Sequence, residues 1–282
     1  MNNEELTEDE EKDLVSQSPS PEARAAQKKL LALACSEKPE DHVTLHRHLT
    51  DESFLEILDS EDAYEGPVRE LRLARILKAL IDNPSTPARE SLLLITKSQI
   101  YLSHIARVSL LIDVWAEARP APPDAVRFWD EHCQPDDAFS HRTIKMLVHN
   151  RSGPALELLG KKLATGAHED QYKIYWMRSF MIEARNDPTM LEICERLITG
   201  TLSENLKPYL VEILFDYRPR EWYRSVAPPN VPVRAQAPRE SLLRLQTIGR
   251  YALKHVALTK TQREAAEKCL EEIDRLLSRS KS

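Results

Sequence analysis

Apolar residues recur with a helical period along this chain, and between residues 146 and 200 the pattern is written twice. MLVHNRSGPALELLGKKLATG (146–166) and FMIEARNDPTMLEICERLITG (180–200) align without a gap at an offset of 34. Arg151/Arg185, Pro154/Pro188, Leu163/Leu197, Thr165/Thr199 and Gly166/Gly200 are identical, and apolar type is kept at Met146/Phe180, Leu147/Met181, Val148/Ile182, Leu156/Met190 and Leu159/Ile193. A repeat of this length marks helical pairs that cannot bury their own apolar faces and must stack on neighbours. The pattern predicts paired helices at 141–150 with 154–165, 170–185 with 188–199, and 204–217 with 219–225.

The same reading extends to both sides. Helices are expected from Pro21 to Ala34, after an Asp51 N-cap, and from Gly66-Pro67, with Leu73, Ile76, Leu77, Leu80 and Ile81 on one face and Asn83-Pro84 as the stop. One begins near Pro87 and another covers about 100–118, with Ile105, Val108, Ile112 and Trp115 as its stripe. Pro123, Pro154, Pro188 and Pro219 each suit a first helical turn, where the missing amide loses no bond. Gly166 and Gly200 are expected at helix ends with positive φ. PPNVPVRAQAP (228–238) reads as an extended connector. A final helix follows, with a Thr261/Glu264 capping box and an apolar stripe of Ala266, Cys269, Leu270, Ile273, Leu276 and Leu277.

Composition sharpens the class. With 6 glycines in 282 residues and 30% of residues charged, the chain leans to helix. The fold expected is all-α, an α-solenoid of antiparallel helix pairs closed by a C-terminal helical cap. Its organisation is an acidic tail (1–20), a helical-repeat domain (21–225), a connector (226–238) and a helical pair (239–282). No apolar run approaches the roughly 18 residues of a membrane span, and no CxxC pair occurs, so a cytoplasmic protein with reduced thiols is expected. Charge is polarised: residues 1–66 hold 18 acidic and 6 basic side chains, and 207–282 hold 9 acidic and 15 basic. An acidic tail on the same chain would compete with anionic ligands for the basic end.

The repeat residues resemble the HEAT/armadillo class over about residues 67–225: helix pairs with a proline near the turn. Asp187 fits the acidic position that class places at the intra-repeat turn, whereas Gly153 stands in that column one repeat earlier. Tetratricopeptide repeats share the 34-residue period, so the mode of helix pairing stays open. The resemblance implies an extended surface that grips a partner.

Chemistry-bearing clusters are few. His42 and His46 share a helical face without a third ligand, and Glu131, His132, Cys133 and His141 form the other local group. There is no G-x-S-x-G elbow or phosphate loop. The function expected is a non-enzymatic protein-interaction or scaffold module without metal or cofactor, binding a protein partner on the concave face. Tyr175 and Tyr209 share one repeat column, and YRPREWYR (217–224) is the densest basic and aromatic stretch. The partner-binding residues expected are therefore Tyr175, Tyr209, Arg218, Arg220, Trp222, Tyr223 and Arg224. The alternative is nucleic-acid binding or repair through the basic C-terminal half, similar in outline to HEAT-like DNA glycosylases.

Overall fold

Helix follows helix from Pro21 onward, and the chain is all-α apart from one antiparallel two-residue ladder among the described residues, Tyr64–Glu65 with Glu70–Leu71. The computed structural model describes residues 21–59, 64–65, 70–215 and 234–279. The expected tail at 1–20, Gly66-Pro67 and the helix at 219–225 lie outside these. No helix among the described residues is long and apolar enough to cross a membrane. The chain divides into two compact units at Ala118/Arg119, inside the 21–225 stretch expected as one domain, and the C-terminal pair belongs to the second unit.

The first unit contains α1 (Pro21–Ala34), α2 (Pro39–Leu49), α3 (Glu52–Asp59), α4 (Arg72–Asp82), α5 (Thr86–Thr96), α6 (Gln99–Leu102) and α7 (Ile105–Ala116). Helix α1 packs on α4 and α2 on α5, so Leu30, Leu45, Leu49, Leu73, Ile76 and Leu77 are wholly buried. Asp51 receives the Ser53 amide at 3.1 Å as the expected cap of α3. Asn83, just past α4, donates to the Ala34 and Ser36 carbonyls at 2.8 Å each and accepts from the Ser85 amide, tying the α4–α5 turn to the end of α1. The helix expected over 100–118 is broken at Ser103-His104. Val108, Ile112 and Trp115 stay buried, but Ile105, placed on the stripe, becomes the first residue of the helix that starts after the break and is 71% exposed. Trp115 donates its indole N–H to Thr96 Oγ1, fixing α7 to α5.

The second unit contains α8 (Pro123–Glu131), α9 (Ser140–Asn150), α10 (Gly153–Thr165), α11 (Asp170–Ser179), α12 (Pro188–Arg196), α13 (Lys207–Phe215), α14 (Arg239–His255) and α15 (Lys260–Arg279). Successive helices alternate between two rows: α8, α10, α12 and α14 pack in one, and α9, α11, α13 and α15 in the other. Each row buries apolar columns the sequence marks: Leu156, Leu159, Leu163, Met190 and Ile193 in the first, Leu147 and Val148 in the second. Lys162 is almost wholly buried in the first row, its Nζ 2.5 Å from Asp130 Oδ1. Burial works to raise the Asp130 carboxyl, and the hydrogen bonds from Lys162 and Lys161 outweigh it and hold the group below its ordinary value.

Pro154 and Pro188 both stand in the first turn of their helices, α10 and α12, as the offset requires. Other repeat columns diverge. Gly166 takes φ −62°, ψ 141°, and among the described residues Arg151, not a glycine, has the left-handed backbone, at φ 57°. Gly166 is needed for closeness instead: a Cβ there would stand 2.3 Å from the Lys162 carbonyl oxygen. Gly200 lies in a π turn, Leu197–Thr201, that closes α12 through the Leu202 amide on the Leu197 carbonyl. The helix expected over 170–185 ends at Ser179 and continues as a 3-10 turn, Met181–Ala184.

The C-terminal helices α14 and α15 form with two corrections. The capping box is Thr259 and Gln262, not Thr261 and Glu264: Gln262 N–H donates to Thr259 Oγ1 at 3.3 Å and Thr259 N–H to Gln262 Oε1 at 3.0 Å. The end of the expected connector is a short 3-10 turn, Arg234–Gln236, in which buried Arg234 donates to the Leu214 carbonyl.

Candidate functional site

The row α9, α11, α13 and α15 presents one edge of the second unit. That edge carries His141, Tyr175 and Tyr209 at successive 34-residue positions, one per helix. Tyr175 and Tyr172 are each 43% exposed, and Tyr209 is half-buried. The Tyr column is therefore a surface ladder and not a repeated core position. The His141 ring meets Tyr175 edge-on at 5.0 Å and Tyr172 at 5.6 Å, and with Gln171 these side chains line a shallow hollow of about 460 Å³.

Fully buried Trp176 anchors the His141 end. Its indole N–H donates to His141 Nδ1 at 2.8 Å, and since an indole only donates, Nδ1 is an acceptor and the imidazole proton sits on Nε2. Burial, with His168 secondary, holds the His141 pKa below its ordinary value. His168 packs on Trp176 at 4.6 Å, reaches the Cys133 carbonyl through Nε2, and is also lowered, chiefly by burial.

Beside this hollow lies a cleft of about 1050 Å³ lined by residues of α11, of the turn into α13, and of the start of α15. Arg178 is among its lining residues. Its Nη2 donates to both Glu212 oxygens at 3.1 Å, across another 34-residue step, and its guanidinium lies 4.8 Å from the Tyr209 ring centroid. Gln262 Nε2 reaches toward the Pro208 carbonyl at 3.4 Å and Glu212 Oε2 at 3.5 Å. Glu204 holds the nearly buried Lys207 ammonium at 2.6 Å. Asp170, Asn205 and Thr261 complete the wall. Its lining offers the Tyr209 ring, charged groups and hydrogen-bonding side chains.

Comparisons with family models, curated proteins and solved structures found no match.

Of the expected site residues, Tyr175 lines the hollow and Tyr209 the cleft, on neighbouring helices of one row, while Arg218, Arg220, Trp222, Tyr223 and Arg224 lie outside the described residues. The described arginines of the basic end are largely engaged. Arg234 is buried, Arg244 pairs with Glu192, Glu195 and Glu240, and Arg250 stands 3.6 Å from Asp274. Among the described residues no group of three His, Cys, Asp or Glu side chains could hold a metal ion. Buried His42 uses Nε2 on the Ser36 carbonyl, and His132 pairs with Asp137. Burial pushes the Cys133 and Cys194 thiols up to about 12, which makes them inert packing groups.

Sequence reading missed Arg178 and Glu212, and grouped His141 with Glu131, His132 and Cys133 instead of with the tyrosines. The signal was present: extending the Tyr175/Tyr209 column by one repeat lands on His141, and the Arg178/Glu212 pair obeys the same spacing. Thr259 and Gln262 carried no such signal, because the chain between α13 and α14 breaks the period.

Proposed function

We propose that this chain is a non-enzymatic protein-interaction module whose second unit is an α-solenoid of HEAT-like antiparallel helix pairs. The alternation of its eight helices between two rows, in register with the 34-residue repeat, supports the solenoid reading. The observation that carries the function is the ladder of His141, Tyr175 and Tyr209. A repeated column that a packed array would bury keeps half-exposed rings on adjoining helices, and such rings are favoured anchors of protein interfaces. The partner surface is the row α9, α11, α13 and α15, taken as the concave side.

Nucleic-acid binding, the alternative, draws less support: Arg234 and Arg244 are engaged within the fold, and the cleft beside the ladder is rimmed by carboxylates. The test is affinity capture from native lysate with wild type, with Tyr175→Ala/Tyr209→Ala, and with Leu243→Ala on the opposite row. The account expects one protein, insensitive to nuclease, retained by wild type and by Leu243→Ala and lost from the tyrosine variant. A nuclease-sensitive catch, or equal retention by all three proteins, counts against it.

A further inference from the structure

The cleft beside the ladder specifies what kind of partner segment it can hold. Much of its wall is already committed: Arg178 spans Glu212 and lies over Tyr209, and Glu204 holds Lys207. Three groups are not. Asp170 forms no ion pair among the described residues, and neither its carboxylate, the Asn205 amide nor the Thr261 hydroxyl makes a hydrogen bond among them.

The charge of the lining selects a sign. Asp170, Glu204 and Glu212 face a single lining guanidinium, Arg178, and that guanidinium is held by Glu212. Lys207, 7% exposed, stands behind Glu204 and offsets only that carboxylate. Among the lining groups, a phosphate or an acidic peptide entering here meets Asp170 and no unpaired cation. A lysine or arginine side chain finds in Asp170 a carboxylate to pair with. The hollow on the other side of α11 agrees, because His141, its Nδ1 accepting the Trp176 N–H, presents a neutral ring that does not repel a cation.

Dimensions point to an extended segment. Packed helices lie about 8–10 Å apart, and an extended chain advances about 3.3 Å per residue. One helix-to-helix step therefore matches about three residues, so alternate features of such a segment can reach Tyr175 on α11 and the α13 side of the cleft together. Asn205, with both a donor and an acceptor, suits a peptide backbone running between them.

On the reading of this edge as a protein-binding surface, we infer that the cleft receives an extended basic segment of the partner, with a lysine or arginine side chain paired to Asp170 and a neighbouring residue lying on Tyr175. The probe is a fluorescein-labelled decapeptide with lysine at every third position among glycine and serine, beside its glutamate counterpart. Anisotropy with the full chain at physiological salt should show saturable binding of the lysine peptide only. Asp170→Asn should weaken it about fivefold, and Asp170→Lys should abolish it. Glu267→Lys, the same change of charge on the exposed face of α15, should leave it within twofold. Equal binding of both peptides, no binding of the lysine peptide, or equal loss in Asp170→Lys and Glu267→Lys would overturn the inference. The last result would mean attraction to the acidic chain as a whole. Should Asp170→Lys lower the thermal midpoint, Asp170→Asn alone decides. Capture that still depends on Tyr175 while the lysine peptide fails removes only the basic segment and leaves the interaction surface standing.

Discussion

Asn83 is the residue whose replacement most sharply separates a structural clamp from a mere turn. Its amide nitrogen donates to the Ala34 and Ser36 carbonyls at 2.8 Å each, and its oxygen accepts from the Ser85 amide at 3.0 Å. Each such bond contributes about 1 kcal/mol net, which sets an upper figure of about 3 kcal/mol for Asn83→Ala. Ser36 keeps a second donor, His42 Nε2 at 2.7 Å, so its carbonyl is not orphaned and the expected cost falls to about 2 kcal/mol. Asn83→Asp is the discriminating change. Aspartate serves a turn as well as asparagine does, but here it keeps the Ser85 contact and turns a carboxylate oxygen toward two carbonyl oxygens. It should cost more than alanine, about 3 kcal/mol. Hydrogen exchange of the last turn of α1 in the full chain reads this directly: 2 kcal/mol is about a 30-fold rise in exchange, since each 1.4 kcal/mol is tenfold. Wild-type exchange in Asn83→Asp would refute the clamp.

Two glycines should respond in opposite ways. A Cβ at Gly249 would stand 2.8 Å from Leu270 Cδ2 and 3.1 Å from its Cγ, so Gly249→Val should lower the thermal midpoint by several degrees through overpacking of α14 on α15, whereas Gly200→Ala, with nothing within 4 Å, should leave it level or raise it. His168 gives a pH signature. Its folded pKa lies below the ordinary 6.5, mainly through burial, so the unfolded chain binds the proton first; stability is complete above about pH 6.5 and falls as pH drops below it. His168→Gln, which keeps a donor for the Cys133 carbonyl, should flatten the loss between pH 7 and pH 5 in urea titrations; an unchanged slope would contradict the assignment. In native protein at pH 8, iodoacetamide should modify exposed Cys35 and spare Cys133 and Cys194 until the chain is unfolded, as peptide mass mapping would show.

What the sequence made legible follows from what burial dictates. Apolar spacing located α9, α10, α12 and α15 to within a few residues, because a buried stripe leaves a period that solvent-facing residues cannot imitate; α4 ends where Asn83-Pro84 put it but starts at Arg72, after the Glu70–Leu71 strand, and not at Gly66-Pro67. Helix ends were less legible. Positive φ was expected at Gly166 and found at Arg151, since a glycine can be kept for a close approach as well as for its backbone freedom, and the letter is the same. The break at Ser103-His104 left no mark in a run of residues that all suit a helix. The expected capping box was misplaced because TKTQRE contains two overlapping candidates, and only the geometry shows that Thr259 and Gln262 reciprocate. At the site, the 34-residue column gave Tyr175 and Tyr209. Arg178 and Glu212 obey the same spacing, which singles them out only once α11 and α13 are known to be neighbours in one row.

The central claim, that the edge carrying the 141/175/209 column meets a protein, is tested most directly by placing a photo-crosslinking amino acid at position 175 in one protein and at position 243 in another. Tyr175 and Leu243 are similarly exposed, at 43% and 40%, on opposite rows. Irradiation in native lysate is predicted to give one discrete protein adduct from position 175, none from 243, and suppression of the adduct by Tyr209→Ala on the neighbouring helix. Adducts of equal yield from both positions, or an adduct at 175 that ignores Tyr209→Ala, would contradict the account.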